Sequence, residues 1–238
     1  MVAAGEIDRV LGFLELDADF QAAVARIRPG PLSAEDGCEA YRCYRLYNAA
    51  LGAFTEDGDL MRQIFGDEML RIAFFRAFGY RGDLDFAMMP SVALHDLPLL
   101  EIGAGAHIGY GVTLGGEEEP YAGVPVSLET IRIGAGCFLN QHAVVEPGAR
   151  MAEGVCIGIR AMIGRGAELG ERVDIGDFST VGNGAMIGEG AQIGHNAHVG
   201  DGAIVDPGLT VADGDAVPPH HRLTAGGLFP RPQSHLAA

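Results

Sequence analysis

The chain has 238 residues and a formal net charge of −16, with 16 basic residues against 32 acidic ones. So negative a balance argues against nucleic acid or an anionic membrane as a partner, because such polyanions are bound through lysine and arginine. No apolar run reaches the ~18 residues of a membrane span, and Met1 to Arg9 carry no basic segment leading into an apolar core, so no signal peptide is expected.

Residues 6–28 have helical periodicity through Ile7, Val10, Leu11, Leu14, Phe20, Ala23, Val24 and Ile27, and Pro29, Gly30 and Pro31 break it. Ser33 followed by Asp36 reads as the start of a second helix, which carries Tyr44, Tyr47 and Leu51. A third begins near Asp57, presents Leu60, Ile64, Met69 and Ile72, and stops at Gly79. Most aromatic residues fall here, so residues 1–82 form an N-terminal α-helical domain with its own core. Asp83 to Leu100 reads as extended and irregular.

From Ile133 to Val217 every sixth residue is aliphatic, fifteen positions in all. Two residues before each lies a second phase of mostly small side chains, among them Cys137, Ala143, Ala149, Ala161 and Ser179. Glycine follows the aliphatic at positions such as Gly134, Gly158 and Gly176, which suggests turns through conformations closed to other residues. A period of six fits a short strand plus a turn, the pattern of a parallel β-helix. Stacked coils then bury an aliphatic column that no single coil could bury alone. The repeat extends back through Ile102, Ile108 and Leu114; nineteen residues then separate Leu114 from Ile133, so residues 115–130 read as a protruding loop. Residues 83–226 are thus the β-helix and 227–238 a C-terminal tail.

Residues eighteen apart should share a corner of the prism. The turn position three after each aliphatic sorts into three columns. Two are mostly glycine; the third holds His142, Arg160, Phe178, Asn196 and Gly214. Large polar and aromatic side chains stacked on one corner suggest a lined groove.

The repeat resembles the left-handed β-helix of the hexapeptide-repeat acyltransferase superfamily, and the hand is implied by that resemblance alone. Asp215 to Gly226, with Pro218 and Pro219, is similar to the element that closes those helices and helps form the acetyl-CoA pocket; its usual finish is loosened to Gly226-Gly-Leu-Phe-Pro230-Arg231. A helical N-terminal region followed by Gly111-Val-Thr-Leu-Gly-Gly116 is also similar to serine acetyltransferases, although their Asp-His-Ala motif has no match here. The run from Ile133 to Asn140 looks like β-helix modules fused to some peptide-synthetase-like adenylating proteins.

The superfamily resemblance implies a CoA-dependent transfer of an acyl group, such as acetyl, to a hydroxyl or amine of a small-molecule acceptor. It further implies a homotrimer, with sites in the grooves between subunits and the loop of one chain covering a neighbouring site. A histidine there takes a proton from the acceptor, and histidine suits the role because it titrates near neutrality. His142 is the candidate base, and the loop one hexad before it should be its neighbour. Asn140 and Gln141 are candidate oxyanion donors, and Glu146 could orient the ring. Arg160, Asn196, Pro218, Pro219, Arg222, Gly226 and Arg231 are candidate contacts for acetyl-CoA or another acyl-CoA, with Arg222 and Arg231 facing its phosphates. Two alternatives stay open: a non-catalytic scaffold or assembly module, and a zinc protein like the γ-class carbonic anhydrases. For the latter, His195 and His198 are spaced differently from the family pair, and no metal ligand is assigned. The cysteines Cys38, Cys43, Cys137 and Cys156 lack metal-ligand spacing, and a reducing cytoplasm is the expected location.

Overall fold

A computed structural model describes residues 4–32, 38–116 and 126–231. Its N-terminal layer holds helices α1 (Ala4–Leu16), α2 (Ala18–Val24), α3 (Glu39–Thr55), α4 (Gly58–Gly66) and α5 (Glu68–Ala77). Aspartates divide them. The Asp17 carboxylate accepts from the Phe20 amide at 2.7 Å, which splits the apolar periodicity of residues 6–28 into α1 and α2. Asp57 accepts from Asp59 and Leu60, and Asp67 from Met69 and Leu70. Each carboxylate satisfies amides that a helix start leaves without an intrahelical partner. Met69, expected on the apolar face, sits beside the Asp67 cap and is 72% exposed. The helix start expected at Ser33 and Asp36 lies outside the described residues.

The helices pack on aromatic edges: Phe54, Phe74 and Tyr47 all meet the Phe78 ring. This core is not separate. Phe75 meets Phe86 of the first coil with ring centroids 5.6 Å apart. The Tyr47 hydroxyl accepts from the Leu97 amide at 3.0 Å. One apolar cluster therefore runs from Ile7 to Val217.

Beyond the helices the chain winds a β-helix of short parallel strands in three sheets. The first face runs from Phe86–Met88 to Thr210–Val211 and the second from Ala93–Leu94 to Ala216–Val217. The third runs from Leu100–Ile102 to His221–Thr224. The segment expected to be extended and irregular, Asp83 to Leu100, is extended where it supplies the first strands of the first two faces. Gly227–Pro230, read from sequence as part of a tail, folds back antiparallel on His221–Thr224.

Register sits at eighteen residues, as in Val144 opposite Met162 and Val145 opposite Ile163. The aliphatic of each hexad points inward and is buried, for example Leu139, Val145 and Ile157 at 0% exposure. The turn residues take positive φ: Gly136, Gly154 and Gly190 on one corner, but also His142, Arg160, Phe178 and Asn196 on another, at 54–59°. The glycine that follows each aliphatic serves a different purpose from the one expected. A Cβ on Gly176 would lie 2.6 Å from the Gly194 carbonyl carbon and the His195 amide. These positions are glycine because the next coil's backbone leaves no room, not because φ is positive.

Ile102 lies opposite Ile133, thirty-one residues on, so thirteen residues are inserted between these coils. Their central part, 117–125, lies outside the described residues. The returning strand Val126–Leu128 pairs antiparallel with Gly30–Leu32 of the helical layer. The Arg165 guanidinium fastens it, donating to the Ser127 carbonyl at 3.0 Å and to Glu129 at 3.3 Å.

Candidate active site

The corner between the first and second faces carries the unusual side chains. In chain order it holds Gly111, His142, Arg160, Phe178, Asn196 and Gly214, all at positive φ. That conformation costs a non-glycine residue roughly 1–2 kcal/mol, and glycine occupies most equivalent turns of the other two corners. His142 donates its amide to the Tyr110 carbonyl at 2.9 Å. Its ring lies over Gly111, where a Cβ would come within 2.5 Å of Nδ1. Tyr110 packs edge-on against it, ring centroids 5.6 Å apart at 82°. Glycine below and tyrosine beside fix the imidazole, and among the described residues no hydrogen bond engages either of its ring nitrogens. Sequence reasoning missed both neighbours, because the thirteen-residue insertion moves Gly111 out of the eighteen-residue column.

Arg160, Phe178 and Asn196 follow on successive coils, all exposed, with Phe178 at 52%. Gln141 is exposed beside His142 and its carbonyl accepts from the Arg160 amide. Asn140 turns away: its Nδ2 donates to the Ile157 carbonyl at 2.9 Å, in a shallow groove that also holds Cys156, Asp174, Gln192 and His195. Burial raises the Cys156 thiol, and the Asp174 and Asp177 carboxylates add to it, so the thiol is no ready nucleophile.

Other proposed partners lie elsewhere in the chain. Glu146 stands on the next corner, where its carboxylate accepts from the Arg165 amide at 3.1 Å; within one chain it does not orient His142. The described ends of the loop leave from that same next corner; the contact expected between the loop and His142 falls on 117–125, outside the described residues. Arg222 is on the third face, paired with Asp206 at 2.8 Å. Arg231 donates its guanidinium to the Gly202 carbonyl and its amide to His220. Gly226 lies in the turn of the C-terminal hairpin, with Pro218 and Pro219 just before it. The candidate cofactor residues thus form two groups, Arg160 and Asn196 on coils that follow His142 and the rest around the C-terminal end. Among the described residues no three His, Cys, Asp or Glu side chains converge as a metal site, and no helix is long and apolar enough to cross a membrane.

Residues 178–213 match the family model described as bacterial transferase hexapeptide, six repeats. That match spans two coils of the β-helix. A comparison with curated proteins gives no match. Among solved structures it is similar to a variant of GDP-perosamine N-acetyltransferase from Caulobacter crescentus, solved with CoA and GDP-perosamine. The identity is 25%, over 66% of this chain and 60% of that one, at a TM-score of 0.32. It is similar to a UDP-N-acetylglucosamine acyltransferase from Bacteroides fragilis at 18% identity, over 60% of this chain and 59% of that one, TM-score 0.32. The acetyltransferase domain of PglB from Neisseria gonorrhoeae, solved with acetyl coenzyme A, is 17% identical over 70% of this chain and 67% of that one, TM-score 0.34. The chain spans about three fifths of the length of the first two.

Proposed function

We propose that this hexapeptide-repeat chain is a CoA-dependent acyltransferase with His142 as its general base. The observation that carries the reading is His142 itself, an imidazole held at positive φ over Gly111 with neither ring nitrogen engaged among the described residues. A residue with no role has little reason to keep a conformation that glycine adopts without strain. In the reaction, a ring nitrogen takes a proton from the acceptor's hydroxyl or amine as that group attacks the thioester carbonyl. A tetrahedral oxyanion forms, the C–S bond breaks, and the imidazolium returns the proton to the departing thiolate. Backbone amides and the exposed Gln141 are the candidate oxyanion donors. Arg160 and Asn196 lie where a ligand running along the corner would meet them. The paired Arg222 would have to exchange Asp206 for a phosphate.

One chain presents this corner as an open edge, and a homotrimer would supply the facing wall and bring a neighbour's loop and Glu146 toward His142. A reducing cytoplasm, where acyl-CoA is found, fits the free thiols. Acetyl-CoA should raise the melting temperature, because a ligand that binds only the folded state stabilises it. Light scattering should return three chains per particle. A particle of one chain, or a melt that no acyl-CoA shifts, contradicts this reading.

A further inference from the structure

We propose that His195 is a fixed hydrogen-bond donor to an uncharged, amide-bearing ligand in the groove beside the His142 corner. The inference starts from a ladder of side chains that bind the coil above. The Asp177 carboxylate accepts from the Ile159 amide at 2.7 Å. Asn183 accepts from Arg165 at 2.9 Å, Asp201 from Asn183 at 2.8 Å and Asp213 from His195 at 2.8 Å. Each reaches back eighteen residues to an amide that its own coil cannot satisfy. His195 does the same with a ring nitrogen: the Asp177 amide donates to its Nδ1 at 2.9 Å. Four of these five positions are aspartate or asparagine, which complete the bond with a short side chain. The fifth is a histidine doing the same structural task with one nitrogen.

The task has a chemical consequence. An N–H can donate only to an unprotonated Nδ1, so the neutral ring carries its proton on Nε2. His195 therefore cannot accept a proton at Nε2, and its outer edge is a donor of fixed direction. His195 lines a groove together with Asn140, Asp174, Gln192, Thr210 and Asp213. The carboxylates of Asp174, Asp177 and Asp213 make this groove unfavourable for a phosphate and suited to ligand N–H groups. A donor set among such acceptors matches alternating amide C=O and N–H groups. The pantetheine arm of coenzyme A has that chemistry. The ligand class rests on the acyl-CoA reading; the locked tautomer does not.

The test uses full-length protein labelled with 15N-histidine, with pantetheine and inorganic phosphate as probes. His195→Asn and His195→Asp keep a ladder acceptor, as Asn183 and Asp201 do, and remove the Nε2 donor. The neutral His195 ring should show the Nε2–H tautomer, pantetheine should move its Nε2 resonance, and phosphate should not. Both variants should melt like wild type and bind pantetheine roughly threefold to tenfold more weakly, the range for one neutral hydrogen bond. An Nδ1–H tautomer, an Nε2 resonance unmoved by pantetheine or moved equally by phosphate, or variants that bind pantetheine as wild type does, would each overturn the proposal. So would unfolding of both variants, because the ladder role would then not be that of an aspartate. Acetyl-CoA binding that leaves His195 unmoved would remove this inference and keep the acyltransferase reading. Pantetheine at His195 without any acyl transfer would do the reverse.

Discussion

His142 and His195 stand on the same corner, three coils apart when counted in hexad triplets, and hydrogen bonding gives them different chemistry. Among the described residues no hydrogen bond engages either ring nitrogen of His142, whereas His195 has Nδ1 tied to the Asp177 amide at 2.9 Å. The thiols add a second prediction at this scale. Burial raises Cys137 above the ordinary thiol range, and burial with nearby aspartates raises Cys156. Both bind a proton more tightly folded than unfolded. Their contribution is therefore whole below the unfolded thiol value of ~8.5 and is lost as pH rises through the folded value. Stability followed from pH 7 to 10 should fall, and a Cys137→Ala, Cys156→Ala double variant should fall less steeply; parallel slopes contradict the assignment. The corner of His142 was legible in the sequence because eighteen-residue spacing is a geometric consequence of the repeat. Its neighbours Tyr110 and Gly111 were not, because register across an insertion is a tertiary fact. Glu146 was matched to His142 by closeness in sequence, yet four residues along a β-helix carry a side chain around to the next corner.

For the elements, the repeat was readable from the sequence almost in full, and the purpose of its glycines was not. Two glycine classes predict different costs. Gly190 has φ of 65° and open space where an added methyl would sit, whereas at Gly176 that methyl would meet backbone atoms at 2.6 Å. Gly190→Ala should cost roughly 1–2 kcal/mol, the strain of a left-handed residue. Gly176→Ala should cost more, because neighbouring coils must separate and overpacking alone costs ~1–3 kcal/mol beyond any strain. Urea unfolding of the two variants measures this, and equal losses would mean that the coils yield more easily than their spacing suggests. Periodicity likewise found the helical segments but not the break at Asp17. A capping aspartate inside an amphipathic run leaves the apolar pattern almost intact.

Across the whole molecule, the helical layer and the β-helix share one core. Tyr47 is fully buried, and burial together with the Asp96 carboxylate pushes its phenol well above the usual tyrosine value. Its hydroxyl accepts from the Leu97 amide, bridging α3 and the first coil. Tyr47→Phe leaves that buried amide without its acceptor, at a cost of about 1–3 kcal/mol. Helical and β signals should still be lost in a single transition at a lower temperature; separate transitions would show two independent units. The acidic surface, with its charge of −16, leaves arginines such as Arg132, Arg150 and Arg222 within ion pairs. Among the described residues Arg160, on the His142 corner, has no carboxylate partner, and under the proposed function it is the candidate cation for an acyl-CoA there.

The most direct measurement is thiol release from acetyl-CoA, followed against a panel of small amines and hydroxyl compounds for wild type and His142→Ala. Position 142 is exposed, so the variant should melt within about 0.5 kcal/mol of wild type, as surface changes do. It should bind acetyl-CoA normally and turn over roughly 10²–10⁴-fold more slowly, the usual loss of general base catalysis. A His142→Ala protein that releases thiol at the wild-type rate with every acceptor that wild type uses would contradict the role given to this histidine.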